Sequence, residues 1–334
     1  MNRKRVTIQD VAEAAGVSRQ TVSRAINQRG EISPETRTQV LQIAEEMGYR
    51  PSSIARGLAT QHTGTLGLVV PDVANPFFSE VARGAEHEAY AKGYNVFLCN
   101  TDEDPQREVA VLRSLEDKRV DGVVLCSSRL DEATLRTSLA RHSSVVLINR
   151  QLRSHDFGVV LIEDKMGGQT ITEHLLNTGH QAIGFLTGPP TSRSGRKRVE
   201  GYFAALAAAG IPHDPDWLRP CAPTVEGGHE ATDALLKSHP EITALFCYND
   251  LVAIGALQSA YELHRIVPVD LAIAGFDDIP LAALVTPALT TCRVSRYEMG
   301  AQAMAMLLER ISGCTDACQK VVMKPELIVR ASAP

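Results

Sequence analysis

From Thr65 onward the chain alternates short, almost continuously apolar runs with amphipathic helical segments. The runs are LGLVVP, NVFLCN, DGVVLCS, SVVLINR, GVVLIED, AIGFLTG, ALFCYND and AIAGFDD. Between them lie FFSEVARGAEHEAYAKG, REVAVLRSLEDKR, GGQTITEHLLNTG, KRVEGYFAALAAAG and VAIGALQSAYELH. A strand that is apolar on both faces needs cover on both faces. Runs of this kind separated by helices therefore predict α/β architecture, with parallel sheets and helices on each side. The pattern is too long for one small sheet, so two α/β lobes are expected. Polar residues gather directly after the strands: Asp72, Asn149, Asn249 with Asp250, and Asp277 with Asp278. Open parallel sheets bind ligands off the carboxyl ends of their strands, so these positions point to a cleft. Asp250 reads as a helix cap and Asp278 as a structural carboxylate.

The first 48 residues have a different rhythm, that of three short helices. Thr7 can cap the first, with Asp10 at its third position, and Val11, Ala14 and Ala15 recur at helical spacing. Gly16 suits the left-handed stop, and Ser18 can cap a second helix that turns Val22 and Ile26 inward. In SPET, Ser33 and Pro34 open a third helix with Val40, Leu41, Ile43, Ala44 and Met47 as its apolar stripe. The connector YRPSSIARGLATQHTGT comes next. Its short helix around Ile54, Ala55 and Leu58 carries Gly57, which costs about 1 kcal/mol relative to alanine, so it is expected to fold on a partner.

Charge separates the two regions. Residues 1–62 hold nine Lys and Arg against six Asp and Glu, a net of +3, while the rest of the chain holds 25 against 33, a net of −8. A basic head on an acidic body suits contact with a polyanion through the head alone. No run reaches the roughly 18 apolar residues of a membrane helix, and no apolar stretch comes after the basic start, so a cytoplasmic location is expected. Seven scattered cysteines argue against a disulfide framework, and Cys314 and Cys318 lack the second ligand pair of a zinc site. No metal or cofactor is expected.

TIQDVAEAAGVSRQTVSRAIN, GYRPSSIARGLA, GLVVPDVANPFF, NTDEDPQRE, RVDGVVL, EHLLNTGHQAIGFLTGPP, RKRVEGYFAAL, YNDLVAIGAL and GFDDIPLAALVTPALTT occur in that order along essentially the whole chain. Together they resemble the LacI/GalR family of bacterial transcription regulators. The resemblance implies an all-α helix-turn-helix headpiece over 1–48, a hinge helix and linker over 49–62, and a two-lobed periplasmic-binding-protein-like core over 63–334. The first lobe is set at about 63–160 plus 293–320, the second at about 161–292 plus 321–334. It also implies a repressor that binds a pseudo-palindromic operator in double-stranded DNA as a homodimer. No heptad repeat lies beyond Arg330, so a tetramer is not expected.

The resemblance assigns roles residue by residue. Arg19, Gln20 and Arg24 match base-reading positions, and arginine and glutamine can each hold a purine edge with two hydrogen bonds. Arg24 can equally reach a phosphate. Thr7, Ser18, Thr21, Ser23 and Asn27 match the phosphate-contact set, to which Arg56 is added. Leu58 would be the hinge wedge in the minor groove, with Ala55 beside it. Asp72, Asn75, Phe77, Phe78, Asn149, Arg150, Arg198, Asn249 and Asp277 would surround a small effector, with Arg198 and Asp277 foremost. Many relatives carry a stacking aromatic where this chain has Pro223, which disfavours a purine and favours a carbohydrate or sugar acid.

Two other classes fit less well. An enzyme on a dinucleotide fold wants G-x-G-x-x-G after its first strand, where this chain has GLVVPDVANP, and neither a Walker loop nor a G-x-S-x-G elbow occurs. A secreted solute-binding protein would share the core but not the headpiece.

Overall fold

All eight apolar runs form strands, in a computed structural model that describes residues 6–27, 30, 32–50, 62–153, 157–313 and 320–334. Residues up to Thr63 make one unit and those from Gly64 another.

The first unit is the trihelical headpiece, α1 (Ile8–Ala15), α2 (Arg19–Ile26) and α3 (Pro34–Glu46). Thr7 caps α1 in a reciprocal box with Asp10, and Gly16 ends it at φ +64. Ser18 and Ser33 cap α2 and α3 through the amides of Thr21 and Thr36. The core holds Val11, Ala12, Ala15, Val22, Ala25, Val40 and Ala44, with Ile26, Ile43 and Met47 packed at its edge. Two expected core positions fall outside it: Ala14 is exposed, its place taken by Ala12, and Leu41 is exposed on α3.

The second unit begins with β1 (Thr65–Val70), α4 (Pro76–Ala91), β2 (Asn95–Asn100), α5 (Pro105–Asp117), β3 (Gly122–Cys126), α6 (Glu132–Leu139), β4 (Val145–Ile148) and β5 (Gly158–Ile162). It continues through α7 (Asp164–Asn177), β6 (Ile183–Leu186), α8 (Arg193–Ala208), β7 (Leu218–Arg219), α9 (Val225–Ser238), β8 (Ala244–Cys247), α10 (Asp250–Glu262) and β9 (Ala272–Ala274). It closes with β10 (Thr291–Arg293), α11 (Arg296–Ile311), β11 (Lys320–Met323) and β12 (Glu326–Ile328). Two parallel sheets result, ordered β11-β5-β4-β3-β1-β2 and β7-β6-β8-β9, one to each lobe.

The chain passes between the lobes three times, after β5, after β10 and after β11. The last crossing differs from expectation. Residues 321–323 are expected in the second lobe, but Lys320–Met323 pairs with Val159–Ile162 on the edge of the first sheet. Alternating, half-exposed KVVM suits an edge, and nothing in four residues specifies which edge. Only the residues after it return to the second lobe, where β12 pairs antiparallel with β10 and the buried Ser332 bonds Ile273 and Thr290.

Helices cross at close quarters where glycine removes the side chain. A Cβ on Gly201 of α8 would lie 2.0 Å from the Lys165 carbonyl oxygen of α7, and one on Gly168 of α7 would lie 2.4 Å from the Arg198 carbonyl oxygen. This crossing seats Arg198 against the lobe junction.

Candidate functional site

On the headpiece, burial of Val22 and Ala25 turns the other face of α2 outward, so Arg19, Gln20, Arg24 and Asn27 lie toward solvent on one side. The hydroxyls of Ser18 and Thr21 lie 2.9 Å apart, and the Asn27 amide donates to the Ser23 carbonyl at 2.9 Å. These short polar groups brace both ends of α2 while staying at the surface. The expected DNA residues Ala55, Arg56 and Leu58 lie outside the described residues.

In the second unit, a cavity of about 20 Å³, little more than the room a water molecule needs, lies between the lobes. Nearly every strand sends a wall residue from just beyond its carboxyl end: Asn75 after β1, Glu103 after β2, Ser127 and Arg129 after β3, and Asn149 after β4. In the other lobe Ser194 lies beyond β6, Pro223 beyond β7, Tyr248 and Asn249 beyond β8, and Asp277 beyond β9. Glu103, Ser127, Asn149 and Asp277 all hold positive φ, between 48° and 106°, which L-residues seldom adopt and which tends to collect at functional sites.

The expected effector residues divide between the wall and its surroundings. Asn75 caps α4 by accepting from the Phe77 amide at 2.9 Å, which sets the edge-to-face pair Phe77 and Phe78 into the wall. Asn149 is buried, and its Oδ1 has no hydrogen-bond partner among the described residues. Asn249, not Asp250, caps α10, through the Val252 amide at 2.9 Å. Asp250 is instead buried beneath the site, bonding the Ile279 amide at 2.8 Å and the Thr291 hydroxyl at 2.6 Å. Asp278 is structural, held by Arg293 and Arg330 at 2.7 Å each.

Two expected residues do not line the cavity. Asp72 closes a local turn by accepting from the Ala74 amide at 2.9 Å. Arg150 directs one Nη2 bond to the Leu130 carbonyl at 2.9 Å and lies outside the wall. In both cases a nearby backbone group, not the cavity, claims the side chain.

Arg198 is fully buried. Its Nε and Nη2 donate to Asp164 at 3.1 and 3.0 Å, Nη1 donates to the Tyr248 carbonyl, and Asp277 lies 3.8 Å away. The guanidinium stacks 3.6 Å over the Phe276 ring. Burial opposes its charge, but Asp164 and Asp277 outweigh that and raise its pKa. Burial also pushes the Asp277 carboxyl up to about 7, against the pull of Arg198 and Arg296. Asp250 is raised too, by burial and then by Asp277.

Sequence reasoning missed Glu103, Ser127, Arg129, Ser194 and Tyr248. Arg129 is almost wholly buried and donates through Nη2 to Glu103 at 2.9 Å. Burial works against its charge, while Tyr248 of the other lobe and Glu103 more than compensate. Tyr248 in turn bonds the Ser192 hydroxyl at 3.0 Å. Glu103, Arg129, Tyr248 and Ser192 thus form a polar chain from one lobe to the other. Pro223 stands in the wall, but Tyr248 supplies an aromatic on that side, its ring so close to Gly188 that a Cβ there would lie 2.4 Å away. Ser127 and Tyr248 each occupy the first position past a strand, a signal that could have found them, whereas the position of Glu103 depends on the turn at Asp102. Among the described residues, no His, Cys, Asp and Glu group is placed to hold a metal, and no helix is long and apolar enough to cross a membrane.

Residues 7–52 match the family described as bacterial regulatory proteins, lacI family, and residues 63–329 match periplasmic binding proteins and sugar binding domain of LacI family. The HTH-type transcriptional repressor PurR of Mannheimia succiniciproducens is 34% identical over 327 residues, 98% of each chain. Among solved structures, the lac repressor dimer bound to operator and the anti-inducer ONPF is similar with a TM-score of 0.86 and 26% identity over 99% of each chain. A complex of the transcriptional regulator CelR with cellobiose is similar with a TM-score of 0.75 and 30% identity, covering 98% of this chain and 100% of that one.

Proposed function

The chain belongs to the lacI family of bacterial regulatory proteins, as a transcriptional regulator and not an enzyme, and we propose that it represses transcription as a homodimer whose grip on a pseudo-palindromic operator is set by a carbohydrate or sugar acid bound between the lobes. The observation that carries the effector reading is the cavity wall. Asn75, Asn149, Asn249 and Asp277 converge there as donors and acceptors beside the Phe77 and Phe78 rings, and the buried Asn149 oxygen has no partner among the described residues. A buried acceptor left unpaired is costly, and a ligand hydroxyl would satisfy it. The similar CelR structure is a cellobiose complex.

On DNA, Arg19, Gln20 and Arg24 read bases, while Thr7, Ser18, Thr21, Ser23 and Asn27 hold phosphates. Arg56, Ala55 and Leu58 complete the contact in the hinge, 49–62, between the headpiece, 1–48, and the core, 63–334. Dimerisation is supported by apolar side chains left exposed on the second unit: Tyr90, Phe97 and Leu98 on the first lobe, and Tyr261, Val269 and Leu284 on the second. The protein works in the cytoplasm. Effector and operator each favour one arrangement of the lobes across the dimer, so each changes the affinity of the other.

Fluorescence anisotropy with DNA from upstream of the protein's own gene, titrated with and without a panel of sugars and sugar acids, tests this reading. Binding no tighter than to scrambled DNA, or indifference to every polyol, would refute it.

A further inference from the structure

The geometry points to a second ligand site in the core, a groove joined to the inter-lobe cavity through the Asp164–Arg198 ion pair, which takes a small anionic metabolite, a phosphate ester or a polycarboxylate. This goes beyond the effector reading above and does not depend on what fills the inter-lobe cavity.

The groove has a volume of about 410 Å³, within the roughly 300–1,000 Å³ of small-molecule sites. Both lobes wall it. The first gives the carboxyl end of β5 and the edge strand β11, which pairs Met323 with Ile162 and accepts the Glu163 amide on its Met323 carbonyl at 2.9 Å. The second gives the first turns of α7 and α8, which cross closely at Gly168 and Gly201. Leu161 and Ile162 are buried there, while Met166 and Val322 remain exposed as apolar surface.

Its charges are unbalanced. Four cations line the groove, Lys165, Arg193, Lys197 and Lys320, against the carboxylates Glu163 and Asp164. Asp164 is fully buried and receives Arg198 at 3.0 Å, and Arg193 reaches it at 3.4 Å. The Arg193 side chain is only 20% exposed, yet its other N–H groups have no acceptor among the described residues. Lys197 is matched by Glu200 at 2.7 Å. Lys320 of the first lobe and Lys165 of the second are exposed and make no ion pair among the described residues. Glu163 makes no side-chain cap bond to α7, so the positive end of that helix also lacks a side-chain acceptor.

An anion among Arg193, Lys165 and Lys320 would accept the idle guanidinium N–H groups and balance the excess positive charge. Met166 and Val322 would cover its carbon skeleton, and Glu163 could accept from a hydroxyl. Because the lysines belong to different lobes, the same ligand would tie the lobes together. Asp164 is shared by Arg193 and Arg198, so the anion would be felt at Arg198, in the wall of the inter-lobe cavity.

The test is calorimetric titration of the full-length protein at constant ionic strength with inorganic phosphate, glycerol 3-phosphate and citrate. The last two separate a phosphate ester from a polycarboxylate. At least one probe is expected to bind the wild type, and Lys165→Gln/Lys320→Gln to bind it roughly tenfold or more weakly. Both lysines are exposed, so this variant should fold, and its melting temperature without ligand checks that it does. Lys92→Gln/Lys118→Gln removes the same charge from exposed positions elsewhere on the first lobe and should bind like the wild type. Failure of all three probes to bind the wild type overturns the inference. So does a Lys165→Gln/Lys320→Gln that binds undiminished, or an equal loss in the two double variants. The effector reading survives each of these results, since it concerns polyols in the other cavity.

Discussion

Replacing Asp277 with asparagine should flatten the pH dependence of stability. The side chain is buried 3.8 Å from the Arg198 guanidinium, yet burial dominates and holds its carboxyl at about 7, against an ordinary value of 3.8. Below pH 3.8 both folded and unfolded chains are protonated there. As pH rises toward 7 the unfolded chain ionises first, so stability is lost across that interval and levels off above it. Integrating the linkage between pH ~5.5 and ~8.5, at about 1.4 kcal/mol per pH unit, gives a loss of about 2 kcal/mol. With an m-value of about 3 kcal/mol/M this is a fall of ~0.7 M in the urea midpoint. Asp250 shares the effect, because Asp277 is the second cause of its raised pKa. The assay is urea unfolding of wild type and Asp277→Asn at both pH values, without added ligand. A variant that retains the wild-type pH dependence would refute the claim that Asp277 holds its proton in the fold.

Further outcomes test the other regions. Arg19→Ala should lose roughly 1–3 kcal/mol on a specific operator and relax preference at one base pair, read by titration against single-base variants; unchanged affinity and preference would remove Arg19 from the base contacts. Gly201→Ala should force α7 and α8 apart, because its Cβ would meet the Lys165 oxygen at 2.0 Å and the Gln169 nitrogen at 2.6 Å. A destabilisation of about 1–3 kcal/mol by chemical denaturation is expected, and wild-type stability would show that the crossing relaxes freely.

Much of the fold was legible in the chain because the signals are local. Thr7, Ser18 and Ser33 announce helix starts by their chemistry, and eight apolar runs announce strands by length. Asn149, Asn249 and Asp277 reach the wall, as expected of residues just past strands, and Asn75, Phe77, Phe78 and Arg198 reach it as the family resemblance implied. What escaped depends on contacts between distant segments. Arg129 is positioned by Glu103 and Tyr248, and Glu103 sits beside Asp102 in a turn with left-handed backbone that nothing in NTDEDP demands. Asp72 has the look of a ligand residue because it comes after a strand, but the nearest amide captures it. The placement of β11 was illegible because the parallel neighbour of a four-residue strand is chosen by the finished sheet.

The return of β12 and Ser332 to the second lobe bears on how the protein is made. The headpiece core spans Val11 to Ala44, so it can assemble soon after it leaves the ribosome. The second lobe must wait, since Thr290 and Ile273 bond Ser332 and β10 pairs with β12. A nascent chain arrested before residue 326 would carry a finished DNA reader on a sensor missing its closing segment. Premature termination late in the gene is thus expected to leave operator recognition without effector control, and the cell meets a deaf repressor rather than an inert fragment.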